Sequence, residues 1–312
     1  MSAAVPRWAG AKPSPSPVRR LRTVNGAAPP SVPVRAVKGV VLALCCAVVI
    51  LPFVAVVATS LASQEQVTAA GGYVFWPADP SLEAYRVIFA GGVVSRALLV
   101  SIGITLVGTL LSIACVATLA YSLSRPGSFA HKPILLAVLF TLLFTPGMIP
   151  SYLLVKELGL LDSYWSLILP GLANGFQVIV MRAFFLEIPD ELTESARIDG
   201  ANEFQIFARI VLPLSKAAVA VIGLFNAVAY WNAFFNALLY LNDSAKWPLQ
   251  LVLRAYVVDS ATIGSVNSGE VLPPQESLQM AILVVSLVPI VIVYPFLQKH
   301  FAKGILVGAV KG

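Results

Sequence analysis

The side chains best suited to metal or covalent chemistry are few in this chain and lie far apart. Its two histidines, His131 and His300, are distant in the sequence, and the zinc-binding pattern HExxH does not occur. The three cysteines, Cys45, Cys46 and Cys115, lie in apolar runs, and their odd number and adjacent pair do not indicate a disulfide framework. No phosphate-binding loop of the form GxxxxGKS or GxxxxGKT is present. We therefore predict no catalytic residues, no metal site and no nucleotide site.

One charged stretch stands out in a chain that is otherwise very apolar. Residues 194–213 read ESARIDGANEFQIFARIVLP and carry five charged side chains, namely Glu194, Arg197, Asp199, Glu203 and Arg209. Pro189 followed by two acidic residues predicts a helix start, because carboxylates are stable near the positive end of the helix dipole. Gly200 predicts a left-handed helix stop, and Asn202 predicts a second N-cap. We therefore predict two short amphipathic helices within 189–213, joined by a glycine elbow.

The elements that must position this stretch are apolar. The chain is 58% hydrophobic and only 12% charged, with a mean hydropathy of +0.85, whereas soluble domains contain about 25% charged residues. A membrane-spanning helix needs about 20 largely apolar residues. Six uncharged runs approach or exceed that length: 39–61, 97–123, 133–155, 163–181, 217–242 and 277–298. The sequence thus predicts an all-α, polytopic membrane protein with six transmembrane helices within residues 39–298.

The distribution of basic residues predicts the orientation. If the N-terminus is cytoplasmic, sixteen of the 21 lysines and arginines lie on the cytoplasmic side and five on the other. Because cytoplasmic loops are enriched in these residues, we predict that both termini and the charged stretch are cytoplasmic. Residues 1–38 are predicted to be a disordered tail, and 299–312 a second cytoplasmic tail. The run 39–61 is too long for a signal peptide, whose apolar region has about 7–15 residues, so we expect it to be retained.

The six runs also limit the mechanism of transport. None of them contains Asp, Glu, Lys, Arg or His, and such side chains mark proton relays and ion pathways in membranes. The absence indicates a passive pathway or a machine driven from outside the chain. A self-contained secondary transporter or channel is an alternative, because backbone carbonyls can coordinate Na⁺.

The charged stretch resembles the EAA motif of bacterial ABC importer permeases. The residues that carry the resemblance are Glu194, Ser195, Ala196, Gly200, Ile210, Leu212 and Pro213. Asp199 lies within the motif. Ser195 stands where the family usually has a second alanine. The resemblance implies the type I ABC importer permease architecture. It also implies that residues 189–213, the coupling segment, form helices that dock on a separate ATPase.

The resemblance extends from about Lys38 to the C-terminus, and residues 241–254 and 294–312 look like the carbohydrate-uptake branch, especially its oligosaccharide subgroup. It implies a multi-pass transport subunit of the plasma or inner membrane, surrounded by lipid and without an ATPase site or bound cofactor. ATP would be used by a partner ABC ATPase dimer. A second homologous permease and an extracytoplasmic sugar-binding protein would complete the importer, with no nucleic-acid partner. A permease for another solute is the alternative within the family.

Polar and aromatic side chains in two of the runs are candidates for the substrate path. Tyr230, Trp231 and Asn232 lie in the fifth run, and Asn174 and Gln177 lie in the fourth. Amides can bond to sugar hydroxyls, and aromatic faces pack on sugar rings, so this mixture suits a neutral carbohydrate. The alternative is helix packing, because polar side chains also hydrogen-bond between helices in lipid.

Overall fold

The computed structural model describes residues 31–125, 127–257 and 275–309. The chain divides into two compact units, residues 1–53 and 54–312. Among the described residues, the first unit contains only the beginning of the first helix, and the second unit contains the helices that follow it.

Every regular element in the described residues is helical, which confirms the predicted all-α class. The α-helices are, in chain order, α1 (Val32–Ser60), α2 (Gln64–Ala69), α3 (Glu83–Ala90), α4 (Val93–Ser124), α5 (His131–Leu143), α6 (Met148–Glu157), α7 (Trp165–Ile168), α8 (Gly175–Leu186), α9 (Asp190–Ile198), α10 (Glu203–Ile206), α11 (Leu212–Leu214), α12 (Lys216–Trp231), α13 (Phe235–Tyr240), α14 (Leu249–Val257) and α15 (Gln275–Ala309). A π-helical turn, Phe207–Val211, joins α10 to α11, and 3₁₀ turns occupy Leu169–Gly171 and Ser244–Lys246.

Three of these helices are long and apolar enough to cross a membrane: α1, α4 and the Gln275–Pro295 part of α15. Two helix pairs reach the required length only when taken together. Trp165–Gly171 and Gly175–Leu186 meet at 50°, and Glu203–Leu214 and Lys216–Trp231 meet at 83°. By length and composition, the described residues therefore contain three candidate spans, or up to five if each bent pair is one span.

Three of the six predicted runs are interrupted rather than continuous. Run 133–155 forms the 13-residue helix α5 and then α6, with Pro146 in the break, because proline cannot continue a helix without losing a hydrogen bond. Run 163–181 breaks at a 3₁₀ turn that also contains a proline. Run 217–242 breaks at 232–234, which contains neither proline nor glycine. Non-helical backbone at membrane depth must be buried in protein or line a water-filled cavity.

Helical structure also extends into both predicted tails. α1 begins within the predicted disordered tail 1–38. The proline in its first turn is compatible with a helix, because an N–H group at that position would have no partner within the helix. Residues 1–30 lie outside the described residues. The predicted C-terminal tail, 299–312, continues α15 through Ala309.

The centre of the second unit is α4, which packs against α8 and α12. Its buried face is rich in small side chains, including Ala97, Ser101, Gly108, Ser112 and Ala120. Tyr230 of α12 fills the space that Gly108 leaves, since a Cβ at Gly108 would lie 2.8 Å from the ring. The Tyr230 hydroxyl lies 2.9 Å from Ser112 Oγ and donates to the Ile168 carbonyl at 3.2 Å. One side chain therefore joins α4, α7 and α12.

A polar clip joins two loops at the end of the unit where α4 begins. The Asp162 N–H donates to the Tyr240 carbonyl at 2.7 Å, and the Lys246 ammonium lies 2.6 Å from Asp162 Oδ2. The backbone N–H groups of Asn242 and Asp243 donate to the other carboxylate oxygen. The Lys246 and Asp243 hydrogen bonds hold the pKa of Asp162 below its usual value, and the pair raises the pKa of Lys246. Asp162, Tyr240 and Lys246 are called the Asp162 clip below.

We expect Gly108→Ala to destabilise the protein, because the added methyl group would overlap the Tyr230 ring, whose hydroxyl is held by two neighbours. Overpacking of this kind costs about 1–3 kcal/mol. Gly103→Ala on the same helix is the matched control, because a Cβ at Gly103 has no neighbour within 4 Å. Thermal unfolding in one detergent should give a lower Tm for Gly108→Ala only. Equal Tm values for the two variants would contradict the wedge role of Tyr230.

Candidate functional site

The coupling segment folds as the two predicted helices with a glycine elbow. α9 carries Asp190 and Glu191 in its first turn and Arg197 in its last, which matches the helix dipole at both ends. Gly200 then adopts a φ of 83°, in the left-handed region that favours glycine. The Ala201 N–H donates to a carbonyl one turn earlier in α9 and closes the helix end. The turn between the two helices therefore requires a residue at position 200 that can adopt a positive φ.

The second helix begins with a reciprocal cap. The Asn202 side chain accepts a hydrogen bond from the Gln205 N–H, and the Gln205 side chain accepts one from the Asn202 N–H. Its buried side consists of Ile206, Phe207 and Val211. Phe204, three positions before Phe207, is by contrast 75% exposed.

Glu203 ties this second helix to the end of α4. The Tyr121 hydroxyl donates to Glu203 Oε2 at 2.6 Å, and Arg197 Nε and Nη2 both lie 2.9 Å from Glu203 Oε1. These hydrogen bonds, the one from Tyr121 first, hold the pKa of Glu203 below its usual value. One carboxylate thus connects α4, α9 and α10.

Arg125 makes a second connection, from just beyond α4 to α9. Its Nη1 lies 3.4 Å from Thr193 Oγ1 and 3.8 Å from Asp190 Oδ1, and its guanidinium stacks over the Tyr121 ring at 4.9 Å. Its Nε and Nη2 are buried and have no hydrogen-bond partner among the described residues. Arg182 of α8 donates to the Leu123 carbonyl at 2.7 Å. The end of α4 is therefore bound to α8, α9 and α10.

The outer surface of the coupling segment combines free carboxylates with exposed apolar side chains. Glu194 and Asp199 are exposed, and neither side chain has a hydrogen bond or ion pair among the described residues. Ile198 is 86% exposed and Phe204 is 75% exposed. These four residues are called the docking face. Exposed apolar side chains that form one patch rimmed by polar residues mark contact sites for proteins or membranes.

The remaining motif residues divide between the two sides of the segment. Ala196 and Leu212 pack against the buried cluster around Met181 and Phe207, and Ile210 is half-buried. Ser195 is exposed and donates to a carbonyl of its own helix, and Pro213 is exposed.

The structure places two of the predicted substrate-path residues in hydrogen-bonded helix contacts. Gln177 of α8 and Asn226 of α12 form a reciprocal amide pair, with N···O distances of 3.2 and 3.0 Å, and both side chains are buried. Tyr230 is buried by its contacts with α4 and α7. The observed contacts of Gln177 and Tyr230 are therefore contacts between packed helices, the alternative to a place in the substrate path.

The other three candidates lie in different surroundings. Asn174 caps α8 by accepting from the Phe176 and Gln177 N–H groups. Trp231 is 6% exposed, and its indole N–H has no partner among the described residues. Asn232 is exposed and donates to the carbonyl of Val228, one turn before it. The five predicted residues are therefore not brought to one surface. Within the described part of the chain, no group of three or more His, Cys, Asp or Glu could hold a metal ion.

The connections made by Tyr121, Arg125 and Glu203 are not predicted by the sequence analysis. Tyr121 and Glu203 are 82 positions apart, so no local pattern pairs them. The available signal was the spacing of Tyr121 and Arg125, which places both on one face of α4 at its end.

Residues 33–307 match the family described as binding-protein-dependent transport system inner membrane component. The chain belongs to this family. The permease is also 48% identical over 267 residues to the polygalacturonan/rhamnogalacturonan transport system permease protein YtcP of Bacillus subtilis, covering 84% of this chain and 93% of the relative. It is 47% identical over 269 residues to protein LplC of the same organism, covering 85% of this chain and 90% of LplC.

A solved structure is similar to the permease along most of its length. The structure is a bacterial ABC transporter involved in the import of the acidic polysaccharide alginate. The similarity has a TM-score of 0.80 and 31% identity, and covers 88% of this chain and 100% of the solved chain. The all-α fold, the coupling segment and the family match together identify a permease component of an ABC transporter, which is a transport subunit.

We expect Tyr121→Phe to loosen the coupling segment of the permease, because it removes the hydrogen bond to Glu203 and keeps the ring. The cost is about 1 kcal/mol, since Glu203 is partly exposed, and about 1 kcal/mol corresponds to roughly fivefold faster local exchange. Hydrogen exchange measured by mass spectrometry should therefore speed up across residues 190–212.

Thr118→Val is the matched control for this experiment, because among the described residues the Thr118 hydroxyl bonds only to carbonyls of its own helix. Its exchange in the coupling segment should equal that of the wild type. An unchanged exchange rate in Tyr121→Phe would show that the Glu203 contact does not hold the segment to α4.

Proposed function

We propose that this permease imports an oligosaccharide and is driven by a separate ATPase dimer that binds the docking face. The observation that carries the proposal is the docking face itself, with two unpaired carboxylates and two exposed apolar side chains on a segment fixed to α4. A cleft with basic and apolar groups on the partner would complement all four side chains. ATP is used by that partner, and this chain binds no cofactor.

We assign the motif residues to this contact in two groups. Glu194, Asp199 and the neighbouring Ser195 meet the ATPase, and Gly200 permits the turn between the helices. Ala196, Ile210, Leu212 and Pro213 hold the segment against the membrane helices. The division follows burial for three residues of the second group, because Ala196 and Leu212 pack on the buried cluster and Ile210 is half-buried, whereas the first group is exposed. Pro213 is exposed as well, and it joins the second group by its position next to Leu212 in α11.

A second permease and an extracytoplasmic binding protein complete the proposed importer. Val138 is the only buried residue of α5, a helix with many apolar side chains, so most of its surface must face lipid or another protein. A homologous permease is the proposed partner for part of that surface. The loop that contains the Asp162 clip is the proposed contact for the binding protein, and residues 258–274 of this region lie outside the described residues.

The proposed cargo follows from the relatives and from the fifth run. YtcP and the alginate transporter are named for polysaccharides, and an AraQ protein of Bacillus subtilis, 31% identical over 242 residues, is named for arabinooligosaccharides. Asn232 is the candidate that stands exposed in a helix break, where irregular backbone can line a cavity. Asn174, also exposed, is a second candidate. Gln177, Tyr230 and Trp231 are buried, and we assign them to the packing behind the residues that line the path.

We expect Glu194→Ala and Gly200→Val to abolish sugar uptake and the stimulation of ATP hydrolysis by the loaded binding protein. Glu194 is proposed to be buried in the contact, and removing one partner of a buried interfacial ion pair costs about 2–5 kcal/mol. A valine at a φ of 83° is strained even though the space around Gly200 is open. Uptake and ATPase assays on the co-expressed complex in liposomes measure both effects.

Arg209→Ala serves as the control in the same segment, because Arg209 is exposed and has no partner among the described residues. It should retain most of the uptake rate. Wild-type rates in both Glu194→Ala and Gly200→Val would remove the main support for the proposal. Uptake by this chain alone under an ion gradient would instead favour a secondary transporter or channel.

The proposed orientation places the coupling segment and both termini in the cytoplasm of a cell-membrane protein. Single cysteines at Ser128 and Asn202 should react with an impermeant maleimide only when it is added from the cytoplasmic side. A cysteine at Ser81 should react only from the outside. Reaction of the Asn202 position from the outside would exclude contact between the docking face and a cytoplasmic ATPase.

A further inference from the structure

Arg254 lies on α14, the helix that follows the Asp162 clip in the chain. α14 packs against α4, α13 and α15, and its Leu249, Leu251 and Val252 are buried. The Leu249 N–H donates to Ser101 Oγ of α4 at 2.8 Å. After the Asp162 clip the chain therefore packs against the helical core again, and Arg254 is part of this packed segment.

The position of Arg254 is fixed by an aromatic contact. Its guanidinium lies over the Phe234 ring at 4.9 Å from the ring centre. Phe234 precedes Tyr240 of the Asp162 clip by six residues, and α13 between them is helical. At a rise of about 1.5 Å per residue, the Phe234 backbone lies roughly 9 Å along α13 from the clip. The Arg254 guanidinium therefore lies beside the start of α13 and not at the clip.

No carboxylate pairs with Arg254 among the described residues, although it is only half-exposed. A cation withdrawn from water is costly without a partner, and charged side chains at membrane depth usually mark the path of a substrate or ion. A guanidinium that stacks on an aromatic ring keeps its N–H groups free at its edge, where they bind carboxylates.

The break in the fifth run adjoins this charge. Phe234 ends the break at 232–234, and Asn232 within it is exposed, with its amide oxygen free of partners among the described residues. Phe235, the next residue, is 50% exposed. Arg254, which has no carboxylate partner among the described residues, thus stacks on the last residue of this break, and the Asn232 amide lies two residues earlier in the same break.

We propose that Arg254 and Asn232 form a recognition site for the carboxylate-bearing units of an acidic oligosaccharide. The guanidinium binds the sugar carboxylate, and the Asn232 amide accepts from a neighbouring hydroxyl. The inference rests on the proposed import of an oligosaccharide and narrows it to uronic acids. The names of YtcP and of the alginate transporter, which refer to acidic polysaccharides, agree with this chemistry.

The test compares two probes, trigalacturonate and its fully methyl-esterified form, which differ in charge at the carboxyl groups. ATP-driven uptake is measured in liposomes that contain the complete importer, with the binding protein saturating, and each variant rate is divided by the wild-type rate for the same probe. Arg254→Gln should lower the ratio for trigalacturonate about 10- to 100-fold, the range expected for a lost hydrogen bond to a charged group. The ratio for the ester should stay near one.

Two further variants separate recognition from general damage. Arg254→Lys should recover part of the trigalacturonate uptake, because it keeps the charge but loses the planar fork. Arg86→Gln removes an exposed charge from α3 and should change neither ratio.

An equal loss with both probes in Arg254→Gln would assign Arg254 to docking or stability and would overturn the proposal. No loss with either probe would overturn it as well, and so would a wild-type importer that carries the ester but not the acid. In each of these outcomes ATP-driven sugar uptake remains, so the proposed function stands. Absence of ATP-driven uptake of any saccharide by the wild type would instead refute the proposed function.

Discussion

The Tyr230 ring lies against the bare backbone of Gly108, and its hydroxyl reaches Ser112 and the Ile168 carbonyl. This contact sets how closely α12 approaches α4. In a lipid environment helices gain little from the hydrophobic effect between them, so close packing and shared hydrogen bonds determine which helices associate. The adjacent amide pair, Gln177 with Asn226, extends the same principle to α8. α4 also contacts α3, α5, α7 and α14, whereas α15 packs against α3, α12 and α14.

α4 also connects this core to the coupling segment. Its last turns carry Tyr121, and Arg125 follows directly, so the same helix that packs against Tyr230 is tied to α9 and α10. The Glu203 carboxylate accepts from both Tyr121 and Arg197, and it satisfies these donors only while the two short helices keep their relative position. A displacement of the segment must therefore break charge-assisted hydrogen bonds or move α4 with it.

Local signals in the sequence predict much of the fold and part of the site. The Asn202 cap and the left-handed Gly200 depend on neighbouring residues, and both occur as predicted. Contacts between distant residues could not be predicted in this way. The amide of Gln177, for example, can form a hydrogen bond with a sugar hydroxyl or with the amide of Asn226. The break at 232–234 has no proline or glycine to signal it. The inward turn of α14 depends on a hydrogen bond to Ser101, which lies 148 positions away.

The 83° angle between Glu203–Leu214 and α12 has a mechanical consequence. Two rods that meet almost at a right angle form a crank, so a force along the shorter rod produces torque on the longer one rather than sliding it along its axis. A rotation about that corner moves the distant part of α12, including the region around Asn232, farther than it moves the end near Lys216. A small movement of Glu203–Leu214 would thus be enlarged near Asn232, without any change in the length of either helix.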